Sequence, residues 1–99
     1  MNIDIPRERI ADFCRRRRVV ELALFGSVLR DDFGPDSDVD VLVSFAADAR
    51  HSVFDHVDME EELQGIFGRP VDLIVKGAVR NPFIRHHILH NHRVVYAAA

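Results

Sequence analysis

Ninety-nine residues, 47% of them apolar and 29% charged, suit one folded domain over residues 1–99 and leave little room for a second. The formal net charge of −3 argues against a protein that coats nucleic acid with its whole surface, so direct nucleic-acid binding is not expected. The lone cysteine, Cys14, excludes an intrachain disulfide, no apolar run approaches the ~20 residues that span a bilayer, and no basic-then-apolar leader opens the chain; a cytoplasmic protein without membrane contact is expected.

Residues 6 to about 17 predict a helix: Pro6 suits a first turn, and Ile10, Phe13 and Cys14 share one face, with Cys14 as a core residue. The helix runs out in Arg15-Arg16-Arg17-Arg18. Such a run suits a solvated helix C-terminus, and contact with an acidic partner or RNA stays open. Residues 19–25 are a nearly continuous apolar run and predict a buried strand. Gly26-Ser27, a short polar stretch and the turn Gly34-Pro35-Asp36-Ser37 follow. Residues 38–45 predict a second strand, with Val39, Val41 and Val43 alternating with Asp38, Asp40 and Leu42.

Residues around 52–67 predict an amphipathic helix. Met59, Leu63 and Phe67 lie one turn apart, Val53 and Val57 repeat that spacing, and Ser52 with Asp55 suits a capping box. Gly68-Arg69-Pro70 breaks the helix, and residues 71–75 predict a third strand. Pro82 opens a short helix carrying Ile84 and Ile88, and residues 93–96 predict a last strand anchored by Tyr96. The order α-β-β-α-β-α-β predicts an α+β (α/β) fold, a small mixed β-sheet packed with helices. His86, His87, His90 and His92 cluster near the end. No cysteine or acid nearby completes a tetrahedral set, so no zinc site is expected there.

The informative segment runs from Leu24 to Val43. Asp38 and Asp40 stand two apart on a strand, so their side chains point to one face. Strand interiors are poor in Asp, and two carboxylates that close repel unless a cation sits between them. Hard oxygen ligands suit Mg²⁺. Asp72, at the start of the third strand, joins the pair if that strand neighbours the second. Three carboxylates can hold two metals, and two metals can clamp an in-line phosphoryl displacement. Gly26 lets a phosphate approach the backbone, Ser27 adds a hydroxyl, and Arg30 can return to the phosphates from a following helical turn. Asp36 and Ser37 read mainly as turn residues, with Ser37 kept in the candidate nucleotide-binding set.

Gly-Ser, and ten residues later Ser-Asp-x-Asp entering an apolar strand, resembles the nucleotidyltransferase superfamily of DNA polymerase beta. The likeness is greatest to its minimal branch, the MNT antitoxins paired with HEPN toxins. Gly26-Ser27-x-x-Arg30, Pro35-Asp36-Ser37-Asp38-x-Asp40 and Arg69-Pro70-Val71-Asp72-Leu73 carry it, with the ending from Ile84 to Tyr96. Where that family often has Gly after the arginine, this chain has Asp31.

The resemblance implies a polymerase-beta-like nucleotidyltransferase fold and an antitoxin that transfers AMP from ATP to a tyrosine hydroxyl of its cognate HEPN ribonuclease. It implies that Gly26, Ser27, Arg30 and Ser37 hold the nucleotide. Asp38 and Asp40 would bind two Mg²⁺ ions, and Asp72 would bind the catalytic ion and help activate the acceptor. A chain this short has no room for an acceptor-binding domain, so the partner must supply much of that site. Transfer to a small molecule or an RNA end is the first alternative, and a non-catalytic antitoxin acting by binding alone is the second.

Overall fold

Runs rich in Val, Leu and Ile make the strands, and the segments between them make the layers above and below. In chain order the elements are α1 (Arg7–Arg17), β1 (Val19–Phe25), β2 (Val39–Phe45), α2 (Val53–Phe67), β3 (Val71–Val75), α3 (Pro82–His90) and β4 (His92–Ala97). The structure is a computed structural model and describes residues 3–30, 34 and 37–98. Asp31, Pro35 and Asp36, singled out in the sequence, lie outside the described residues.

The strands form one mixed sheet in the order β3-β2-β1-β4. β1 runs antiparallel to both β2 and β4, and β3 runs parallel to β2. The parallel pair follows from α2, since parallel neighbours need a long crossover. Its register places Asp40 beside Asp72, and the β1–β2 register places Phe25 beside Asp40.

The sheet is covered unequally. On one face Leu22 and Leu24 of β1, Val39, Val41 and Val43 of β2 and Leu73 of β3 meet Ile10, Phe13 and Cys14 of α1 and Met59, Leu63, Ile66 and Phe67 of α2. On the other face a smaller cluster joins Ala23, Leu42 and Ile88, with Phe25, Ile74 and Leu89 at its border. Among the described residues α3 is the helix that packs on that face. Burial pushes the Cys14 thiol up to about 12, so Cys14 is a core group with no reactive thiolate near neutral pH.

Local signals set most of the helix ends. Ser52 and Asp55 form the reciprocal capping box, and Gly68 ends α2 in the left-handed region at φ 68°. Asn81 caps α3 by accepting from the Phe83 and Ile84 N–H groups at 3.0 and 3.3 Å. Pro6 is the N-cap of α1, one position before the first turn predicted for it. The arginine run ties elements together: Arg16 and Arg17 both pair with Glu62 of α2, and Arg18 pairs with Asp48. Glu62 is consequently held below the usual carboxylate range, chiefly by its hydrogen bond from Arg16.

The sequence reading of α2 needs correction. Val53 and Val57 are not part of the buried stripe; they are 79% and 49% exposed. At about 100° per residue they stand roughly 80° and 120° around the helix from Leu63, so their four-residue spacing defines a different stripe. Of the two isoleucines carried by the short helix, Ile84 is 53% exposed, while Ile88 is buried. The last strand is also one residue longer at each end than predicted, and Lys76–Ala78 forms a 3-10 turn that the sequence pattern did not mark. Among the described residues no helix is long and apolar enough to cross a membrane.

Candidate active site

The alternation that buries Val39, Val41 and Val43 sends the side chains between them to the opposite face. Asp40 therefore emerges on the thinly covered face beside Asp72 of the parallel neighbour. Asp38 precedes the strand by one position, on Asp40's side. The Asp40 carboxyl is pushed up first by burial, then by the charges of Asp72 and Asp38, and is partly relieved by a hydrogen bond from the Ser27 backbone N–H. Asp38 and Asp72 are exposed and Asp40 is half-buried. Among the described residues, no three His, Cys, Asp or Glu side chains already form a metal-ligand group. The acids meet through charge rather than by closing on one point.

β1 ends at Phe25, next to Asp40, and the chain turns sharply through a 3-10 turn, Gly26–Leu29. Gly26 sits at φ +73°, where a side chain is strained, and a Cβ there would stand 2.2 Å from Asp40 Oδ2. Only glycine lets that carboxylate lie against the backbone. The Ser27 hydroxyl donates to the Asp38 carbonyl at 3.4 Å, and Val28 is buried in the main core. The Gly-Ser turn and the acid-bearing strand thus brace each other.

Arg30 leaves this turn with its N–H donating to the Ser27 carbonyl at 3.0 Å. Its side chain lines a cleft of about 470 Å³ with Gly26, Leu29, His87 and Asn91. Ser37 is engaged elsewhere: its hydroxyl accepts from the Gly34 N–H at 3.2 Å and its own N–H donates to the Gly34 carbonyl at 3.1 Å. Arg69 donates to the same carbonyl at 2.6 Å. The structure therefore brings together Gly26, Ser27, Asp38, Asp40 and Asp72, sets Arg30 on the adjoining cleft, and uses Ser37 to close a turn. His87 and Asn91 were not among the candidate residues. Their four-residue spacing at a helix end was the available signal.

The sequence profile of the nucleotidyltransferase domain matches residues 7–95. This chain belongs to the nucleotidyltransferase family. Among its nucleotidyltransferase relatives is a candidate protein adenylyltransferase of Methanocaldococcus jannaschii, 34% identical over 85 residues, which are 86% of this chain and 85% of the relative. Two solved structures share the fold. One is a toxin–antitoxin crystallised with AMP-PNP, at TM-score 0.76 and 18% identity, covering 95% of this chain and 75% of the other. The second is a tri-AMPylated HEPN toxin of Shewanella oneidensis in complex with its MNT antitoxin, at TM-score 0.67 and 17% identity, covering 93% of this chain and 70% of the other. The expected α+β architecture with a mixed sheet is the one observed, and it is the fold of these neighbours.

Proposed function

We propose that this nucleotidyltransferase moves AMP from ATP to a tyrosine hydroxyl of a HEPN-type toxin and acts as that toxin's antitoxin. The observation that carries the reading is the pairing of Asp40 with Asp72 across the parallel strands, at the point where Gly26 packs its backbone on the Asp40 carboxylate. Names borne by the relatives point the same way: an adenylyltransferase of proteins in one case, an antitoxin bound to an AMPylated toxin in the other.

The donor set fits magnesium. It consists of carboxylate oxygens alone, and Asp40, pushed up first by burial and then by the charges of Asp72 and Asp38, stands in negative surroundings that a cation would relieve. Mg²⁺, as two ions when bound, would supply neutralisation of phosphate charge and polarisation of the phosphorus under attack. Asp38 and Asp40 would be its shared ligands, with Asp72 completing the set. The Gly26-Ser27 turn would present backbone and hydroxyl to the triphosphate, and Arg30 would offer a guanidinium fork to its charged oxygens. Asp72 is exposed on the sheet's outer strand, where a hydroxyl carried by another protein can reach it. In that position it would take the acceptor's proton. The acceptor oxygen then bonds to the α-phosphorus, the bond to the bridging oxygen breaks, and pyrophosphate leaves.

Incubation with a HEPN partner encoded beside it, ATP and Mg²⁺, followed by intact-mass and peptide mapping, tests the reading. The expected result is one or more AMP units on tyrosine, lost on chelation of the metal. Neutralisation of the toxin with no added AMP would instead establish binding alone as the mode of action. AMP on an RNA end or a small molecule would overturn the protein acceptor.

A further inference from the structure

The cleft beside the Gly-Ser turn has a second wall that the adenylyl-transfer reading does not use. It is built by the last turn of α3 and the corner into β4. There Asn91 Nδ2 donates to the His87 carbonyl at 2.8 Å and lies 3.3 Å from His87 Nδ1. The first contact fixes the amide orientation, because an amide oxygen would not sit that close to a carbonyl oxygen. The second hydrogen of the same amine then faces Nδ1, which must accept. A neutral imidazole that accepts at Nδ1 carries its proton at Nε2. Asn91 therefore presets His87 as an Nε2–H donor at the cleft wall.

The lining is unbalanced in hydrogen-bonding character. Arg30 brings five N–H groups and His87 one, against a single side-chain acceptor, the Asn91 amide oxygen. Among the described residues no carboxylate pairs with Arg30. The segment that supplies this second wall carries no carboxylate of its own: from Leu73 to Ala99 there is no Asp or Glu. A nucleobase offers donors as well as acceptors, whereas phosphate oxygens only accept. The cleft's ~470 Å³ is within the range of small-molecule sites.

Resting on the reading that the triphosphate lies against the Gly26-Ser27 turn and Arg30, we propose that His87 Nε2–H is a further donor to its two terminal phosphates from the opposite wall of the cleft, and that Asn91 is the residue that orients His87. The acids would then face the metal-bound side of the triphosphate, and Arg30 with His87 its far end, where the leaving pyrophosphate departs. His87 would discriminate nucleoside triphosphate from monophosphate.

The test is binding, measured on the isolated chain with Mg-ATP and with AMP by calorimetry and by NMR titration. His87 is exposed, so its variants should fold, and an unchanged thermal midpoint checks this. His87→Ala is expected to weaken ATP about tenfold, the equivalent of ~1.4 kcal/mol, and to leave AMP unchanged. His87→Gln, which keeps a side-chain N–H donor, should stay within about threefold of wild type. Asn91→Ala should fall between the two. Equal weakening of ATP and AMP, no weakening of either, or failure of His87→Gln to rescue would overturn the proposal while leaving the transferase reading intact. Absence of ATP binding by the wild-type chain would overturn both.

Discussion

On the helix-covered face of β2, Val39, Val41 and Val43 are fully buried in the main core. One residue out of phase along the same strand, Asp40 stands among like charges on a face that α3 only partly covers. The covered face follows the rules of stability: apolar side chains, removed from water, filling the space between sheet and helices. The open face breaks them at its acid end, with a half-buried carboxylate, two neighbours of the same sign and a glycine held at positive φ. A strand has two faces two residues in period, so one short segment can serve both purposes. The difference teaches where to look for chemistry: at the end of the sheet where burial and charge are set against each other.

Substitutions on the two faces should therefore fail differently. Phe13 is fully buried against the sheet, and Phe13→Ala should cost about 3–5 kcal/mol. Urea unfolding should show the loss, and activity should fall only as the folded fraction falls. Asp38→Ala should do the reverse. It is expected to reduce AMP transfer at least about 100-fold, since even groups behind metal ligands cost 10–100-fold when removed, with an unfolding midpoint near that of wild type. Gly26→Ala touches both sides of the comparison. The positive φ should cost about 1–2 kcal/mol, and the new methyl must displace the Asp40 carboxylate. Activity should consequently drop by more than the stability loss explains.

The smallest expected effect has an unusual sign. Burial and the neighbouring acids hold the Asp40 carboxyl above its ordinary value, so folding penalises its ionised form. That penalty is absent where Asp40 is protonated in both states, and it grows as the pH rises from the ordinary carboxylate range through the raised folded-state value. Asp40→Asn escapes it. The variant should resist urea slightly better than wild type at about pH 7, and the two should converge at about pH 3.

The elements were legible because their signals are local. Alternation marked β2, the serine–aspartate box marked the start of α2, and glycine marked its end. The candidate acids were legible because Asp at alternate positions of an apolar strand contradicts its surroundings. The pairing of Asp72 with Asp40 was only conditional in the sequence, since strand neighbourhood is a tertiary fact. Val53 and Val57 misled because an i, i+4 spacing fixes a stripe but not which stripe faces the sheet. His87 and Asn91 could not be joined to the site from the sequence, because the cleft they line is completed by Gly26 and Arg30, about sixty residues earlier in the chain.

Asp40→Asn offers the most direct test, because there the two faces make opposite predictions about one residue. Wild type and variant would be compared, on the same preparations, for unfolding midpoint and for AMP added to the HEPN partner by intact mass. The expected variant is as stable as wild type or more so and adds no AMP. Transfer at the wild-type rate by Asp40→Asn would contradict this.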